Sequence, residues 1–187
     1  RLLVEHDVPV MIHTGDTYNP RGKVRFAHPL NIDDVAVDNP GLKIVICHVG
    51  NPWITDCMEV VYKNQDVYAD VSGLVLGDFE DKFEKYMLQR IRNMITYAGE
   101  PRYLLYGTDW PICSMRSYLK FINGLDLSDK ARDMIMWRNA AELFKIELPG
   151  APPLHPVSGE NGQSQDGSAN ASDGAVPRTQ QAPSDPE

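Results

Sequence analysis

Four short apolar runs punctuate the chain, at residues 8–12, 42–47, 67–71 and 103–106. Each is too short for a helix and carries β-branched or aromatic side chains. Polar or glycine-containing stretches bound each run, the pattern of strands buried on both faces. Helical spacing fills the intervals. Phe79, Phe83, Met87, Ile91, Met94, Ile95 and Ala98 recur every three or four residues with Lys82, Glu84, Lys85, Arg90 and Arg92 between them, and Gly99 ends the pattern. A shorter helix is predicted from Asn31, as its cap, to Pro40-Gly41, and others over 56–64 and 117–123. Ser128 is predicted to cap a closing pair of short helices that runs through Leu143-Phe144. At the start, Arg1 to His6 reads as the last turn and a half of a helix begun upstream, so the chain is expected to be a piece of a longer protein.

Four strand–helix alternations with strands buried on both sides predict a parallel α/β sheet. An open doubly wound sheet and part of a closed barrel both satisfy that pattern. Composition then sets the boundary of the fold. From Pro149 onward there is no Phe, Trp or Tyr, while seven of the 14 prolines and five of the 14 glycines fall there. Such a stretch buries too little apolar surface to offset its chain entropy. Residues 1–148 are therefore expected to form the globular domain and 149–187 a disordered Pro/Gly/Ser/Gln-rich tail.

Charge and cysteine content narrow the function classes. The formal net charge is −8, with five acidic residues and one arginine in the tail. Mild acidity without a basic stripe argues against a nucleic-acid partner, and no apolar run approaches the roughly 20 residues of a membrane span. Cys47, Cys57 and Cys113 are odd in number and lack metal-finger spacing, which predicts free thiols and a reducing, cytoplasmic setting.

The chemistry-bearing residues gather where the strands end. The first strand runs into His13-Thr14-Gly15, the second into His48-Val49-Gly50, the third into Asp70-Val71-Ser72-Gly73 and the fourth into Gly107-Thr108-Asp109-Trp110. In parallel α/β folds this rim is where ligands bind. One histidine at a strand end is an ordinary polar residue. Two imidazoles and a carboxylate at matching ends suit a divalent ion such as zinc. No glycine-rich phosphate loop follows any strand, and no Gly-x-Ser-x-Gly elbow occurs. Other residues leave alternatives open. Arg21, Lys23 and Arg25, near His28-Pro29, read either as a cationic loop for a carboxylated substrate or as solvated charges. Trp53 and Trp110 read either as walls of an aromatic pocket or as packing against the next helix. Cys113 and His155 read as bystanders.

Taken in order, Pro9-Val10-Met11-Ile12-His13-Thr14-Gly15, Leu42-Lys43-Ile44-Val45-Ile46-Cys47-His48-Val49-Gly50, Tyr106-Gly107-Thr108-Asp109-Trp110-Pro111 and Arg138-Asn139-Ala140-Ala141-Glu142-Leu143-Phe144 resemble the amidohydrolase-related family. That family includes the aminocarboxymuconate-semialdehyde decarboxylase-like enzymes. The resemblance covers about residues 1–146. It implies the C-terminal half, strands five to eight, of a distorted (β/α)8 TIM-type barrel. It further implies His13 as a metal ligand, His48 as a catalytic residue that binds metal or polarises substrate and water, and Asp109 as both metal ligand and general base. The family's two-histidine strand-one motif is absent from these residues, so the chain alone is expected to be inactive.

The resemblance implies a metal-dependent hydrolase acting through activated water on a small-molecule substrate, with zinc as the expected ion. A non-oxidative decarboxylase acting on a carboxylated substrate is the alternative. A catalytically inactive half-barrel that acts only by association is a third reading, and unpaired sheet edges would favour a homo-oligomer.

Overall fold

The computed structural model describes residues 1–99 and 101–147. The expected disordered tail, with His155, lies outside them. Four strands form one sheet: β1 (Val10–Ile12), β2 (Ile44–Ile46), β3 (Val67–Asp70) and β4 (Leu104–Leu105). All pair in parallel and in sequence order, β1-β2-β3-β4. Each strand lies within its apolar run and is one to three residues shorter than it. Consecutive order with no reversal is what a barrel segment requires. A doubly wound sheet reverses its order at a switch point, so that alternative does not describe these strands.

The helices follow the strands as a parallel sheet demands. Helix α1 (Leu2–Glu5) leads into β1. Helix α2 (Leu30–Asp38) links β1 to β2, α3 (Ile54–Lys63) links β2 to β3, and α4 (Asp81–Ala98) links β3 to β4. After β4 come α5 (Met115–Asn123), α6 (Asp129–Asp133), a π-helical turn (Met134–Arg138) and α7 (Asn139–Leu143). Gly99 ends α4 at φ 85°, a conformation that favours glycine.

The two faces of the sheet are covered differently. Ile44, Ile46, Val67, Ala69 and Leu104 join the main core with Ile54, Val60, Met87, Ile91, Met94 and Phe121 of the helices. Val45 and Leu105 lie on the opposite face with Leu143, Tyr68 and Ala140. Asn139 fixes that closing segment by donating to the carbonyls of Pro101 and Leu104, each at 2.7 Å. This gives a physical reason for an Asn in the Arg138–Phe144 stretch.

Several local expectations need correction. Asn31 does not cap α2. Pro29 holds that position, and Asn31 donates instead to the Arg25 carbonyl at 2.8 Å, tying down the preceding 3-10 turn (Val24–Ala27). Helix α5 begins two residues earlier than expected because Ser114 caps it, accepting from the Ser117 N–H at 3.3 Å. Ser128 caps α6 as expected, accepting from Ala131 at 3.2 Å. The closing pair of helices is one helical run interrupted by the π turn.

Candidate active site

Parallel register sets the rim. Ile12 pairs with Ile46, Ile46 with Ala69, and Ala69 with Leu104, so the four strands end within one residue of a common level. His13 is the first residue beyond that level on its strand and His48 the second. Asp109 lies four residues past β4, because that strand ends at Leu105 rather than Tyr106. The three positions are therefore not equivalent, and a loop carries Asp109 back. They nevertheless line one cavity of about 470 Å³, with Asp16, Asn51 and Gly73. The His13 and His48 rings meet edge-on, with centroids 5.1 Å apart.

The backbone around His48 is unusual. His48 (φ 63°) and Val49 (φ 44°) both adopt left-handed conformations, rare for a non-glycine residue and rarer for a β-branched one. Such geometry persists only where surrounding contacts hold it. One such contact is Asp70, at the end of β3, whose Oδ1 accepts the His48 N–H at 3.0 Å. The same oxygen accepts the Ser72 N–H at 2.9 Å and the Ser72 hydroxyl. Ser72 Oγ in turn lies 2.8 Å from His48 Nδ1. Gly73, at φ 60°, lies under this ring. A Cβ there would come within 2.3 Å of His48 Nδ1, so only glycine fits.

One wall of the cavity is apolar. Leu74, Val75, Leu76 and Ile112 contribute to it, and α5 holds that segment in place. Tyr118 Oη accepts the Leu74 N–H, and the Cys113 thiol donates to the Val75 carbonyl at 2.7 Å. Cys113 therefore has a packing role. Cys47, beside the rim, is held protonated. Burial first, then the charge and hydrogen bond of Asp70 and the charge of Asp109, push its thiol up to about 12.

Other candidates fall away from the cavity. Its lining holds neither Arg21, Lys23 nor Arg25, and Arg25 instead lies over the Phe26 ring at 4.8 Å. His28 pairs with Asp56 at 3.2 Å and packs on Trp53 at 4.8 Å, so both aromatic rings serve packing. Trp110 is 68% exposed and is not among the lining residues, so neither reading of it holds. Sequence reasoning noticed the Ser72-Gly73 turn but gave Asp70 and Ser72 no role. Their signal was an Asp-x-Ser-Gly sequence at a strand end.

The metal expectation meets a limit of donor number. The donor types suit a borderline divalent ion, but among the described residues no three His, Cys, Asp or Glu side chains come together as a metal cage. A protein-held zinc ion takes at least three such ligands. His13 Nε2 is also engaged, 3.1 Å from the Asp16 carbonyl. The described residues therefore do not complete a metal site by themselves.

The amidohydrolase family model matches residues 1–146. The chain belongs to the amidohydrolase family. Gamma-resorcylate decarboxylase from Polaromonas sp. strain JS666 is 26% identical to it over 127 residues, covering 57% of this chain and 35% of that one. An uncharacterized TIM-barrel protein from Bordetella bronchiseptica superposes with a TM-score of 0.63 at 23% identity, covering 77% of this chain and 48% of that one. A dihydroxybenzoic acid decarboxylase from Polaromonas sp. JS666, solved with bound manganese and the inhibitor 2-nitroresorcinol, gives a TM-score of 0.54 at 19% identity, covering 76% and 51%. The fold is thus part of an α/β barrel. The chain spans about a third of the curated relative it matches and about half of those solved structures.

Proposed function

We propose that the rim cavity serves metal-dependent, non-oxidative decarboxylation of a small carboxylated aromatic molecule. The observation carrying this reading is the composition of the cavity. Leu74, Val75, Leu76 and Ile112 offer apolar surface for a flat ring, while His13, His48, Asn51 and Asp109 offer polar groups for its substituents. The decarboxylase relatives support the same reading. Among the described lining residues there is no Lys or Arg, so a bound carboxylate needs positive charge from elsewhere.

A divalent cation would supply that charge and polarise a neighbouring substrate oxygen. His13 and Asp109 are the donors assigned to it, zinc is the ion proposed, and further donors come from outside the described residues. His48 and Asp109 are the catalytic residues. His48 orients a substrate hydroxyl by hydrogen bonding, and Asp109 holds or releases the proton exchanged at the reacting carbon. Hydrolysis is the second reading. It is favoured by the shared cavity of His48 and Asp109, since an imidazole and a carboxylate together also suit proton transfer from water.

The test is carbon dioxide release from gamma-resorcylate, with zinc or manganese present. It is measured on the chain alone and on the chain co-expressed with a first-half amidohydrolase segment bearing a His-x-His strand end. Turnover is expected only in the second case, and Asp109→Asn should remove it. Hydrolysis of a lactone or amide without carbon dioxide release would replace decarboxylation with the second reading. A complemented barrel that binds metal yet turns over neither class would leave association as its role and overturn both.

A further inference from the structure

The hydrogen bonds around His48 have only one consistent direction. Asp70 is 4% exposed, and its Oδ1 is surrounded by donors: the N–H groups of His48 and Ser72 and the Ser72 hydroxyl. An oxygen that faces three donors acts as the acceptor of each. The hydroxyl has a single proton, which is committed to Asp70, so toward His48 Ser72 Oγ acts only as an acceptor. The 2.8 Å contact then requires a proton on His48 Nδ1. A neutral imidazole carries one N–H, so Nε2 is left with a bare lone pair.

We propose that Asp70 and Ser72 are positioning residues that hold His48 as the Nδ1–H tautomer, making Nε2 the acceptor for a substrate hydroxyl or a water in the cavity. This rests on the reading of the rim as the active site. Three further features build the same device. Asp70 also grips the His48 N–H, so one oxygen fixes both the left-handed backbone and, through Ser72, the ring. Gly73 leaves the space that the ring fills. Gly107 passes close to Ser72, where a Cβ would come within 3.1 Å of the serine Cβ, so the fourth strand's loop also confines the serine. A carboxylate acting through a hydroxyl on an imidazole fixes orientation and basicity together, as outer groups do for ligating histidines.

The tautomer can be read directly by two-bond proton–nitrogen correlation on histidine-labelled protein at about pH 8.5, about two units above the usual imidazole pKa of about 6.5. In the unsubstituted chain, His48 Nδ1 should give the signal of a protonated ring nitrogen and Nε2 that of an unprotonated one. Ser72→Ala should convert this to a mixture of tautomers, and Ser72→Thr, which keeps the hydroxyl, should restore it. A proton found on Nε2 in the unsubstituted chain overturns the proposal without any variant. An unchanged pattern in folded Ser72→Ala overturns it equally. The measurement uses neither substrate nor metal, so its failure is distinct from failure of the decarboxylase reading, which turnover alone decides.

Discussion

At the scale of single residues, the site depends on contacts that tolerate almost no added volume. Gly73 is the clearest case. An alanine there meets both a left-handed backbone, which costs about 1–2 kcal/mol for a residue bearing Cβ, and the His48 ring at 2.3 Å. Gly73→Ala is expected to lower stability by roughly that cost while displacing the ring, so the His48 ring-nitrogen signals should move far more than those of His28. Denaturant titration and the same proton–nitrogen correlation check both halves. His13, His48 and Asp109 were legible in sequence because each follows an apolar run that reads as a strand. Asp70 and Ser72 were not, because their importance depends on which donors the fold directs at one carboxylate oxygen. Nothing in the order Asp70-Val71-Ser72-Gly73 states that a histidine 22 residues earlier points its N–H there. Arg21, Lys23 and Arg25 show the converse. Their charge suggested a role that their position does not support.

At the scale of elements, the strands were legible because β-branched runs buried on both faces have few other solutions. Helix ends were less so. Ser128 caps as its sequence suggests, whereas Asn31 is drawn to the Arg25 carbonyl by a turn that local pattern does not reveal. Long-range ion pairs are equally hidden. Asp7, following α1, meets Lys43 just before β2 at 2.6 Å and Lys145 just after α7, joining three distant segments. Hydrogen bonds from Lys145 and then Lys43 hold its carboxyl at about 2, against an ordinary 3.8. A depressed folded-state pKa adds stability above the unfolded-state value and loses it as pH falls through the folded one. The thermal midpoint of Asp7→Asn should therefore lie below that of the unsubstituted chain above about pH 5. The gap should narrow below about pH 4 and close near about pH 2. Because the pair is solvent-exposed, salt should shrink the gap at neutral pH. A difference that persists unchanged at the acid end would show that Asp7 acts through packing instead.

At the scale of the molecule, the order β1-β2-β3-β4 and the common rim make this a barrel segment with His13, His48 and Asp109 around one cavity. Among the described residues β1 has no second strand partner, and Met11 on it is 54% exposed. We expect such an edge to promote self-association. His13 and Asp109 share one cavity without a third donor, so we propose that they belong to a divalent-metal site which the described residues do not complete. Zinc titration of the purified chain by calorimetry, alongside His13→Ala and Asp109→Asn, tests it most directly. The expected result is weak binding that either substitution abolishes. Tight one-to-one binding lost in either variant would contradict the incomplete site, and binding that survives both substitutions would contradict the assignment of the site itself.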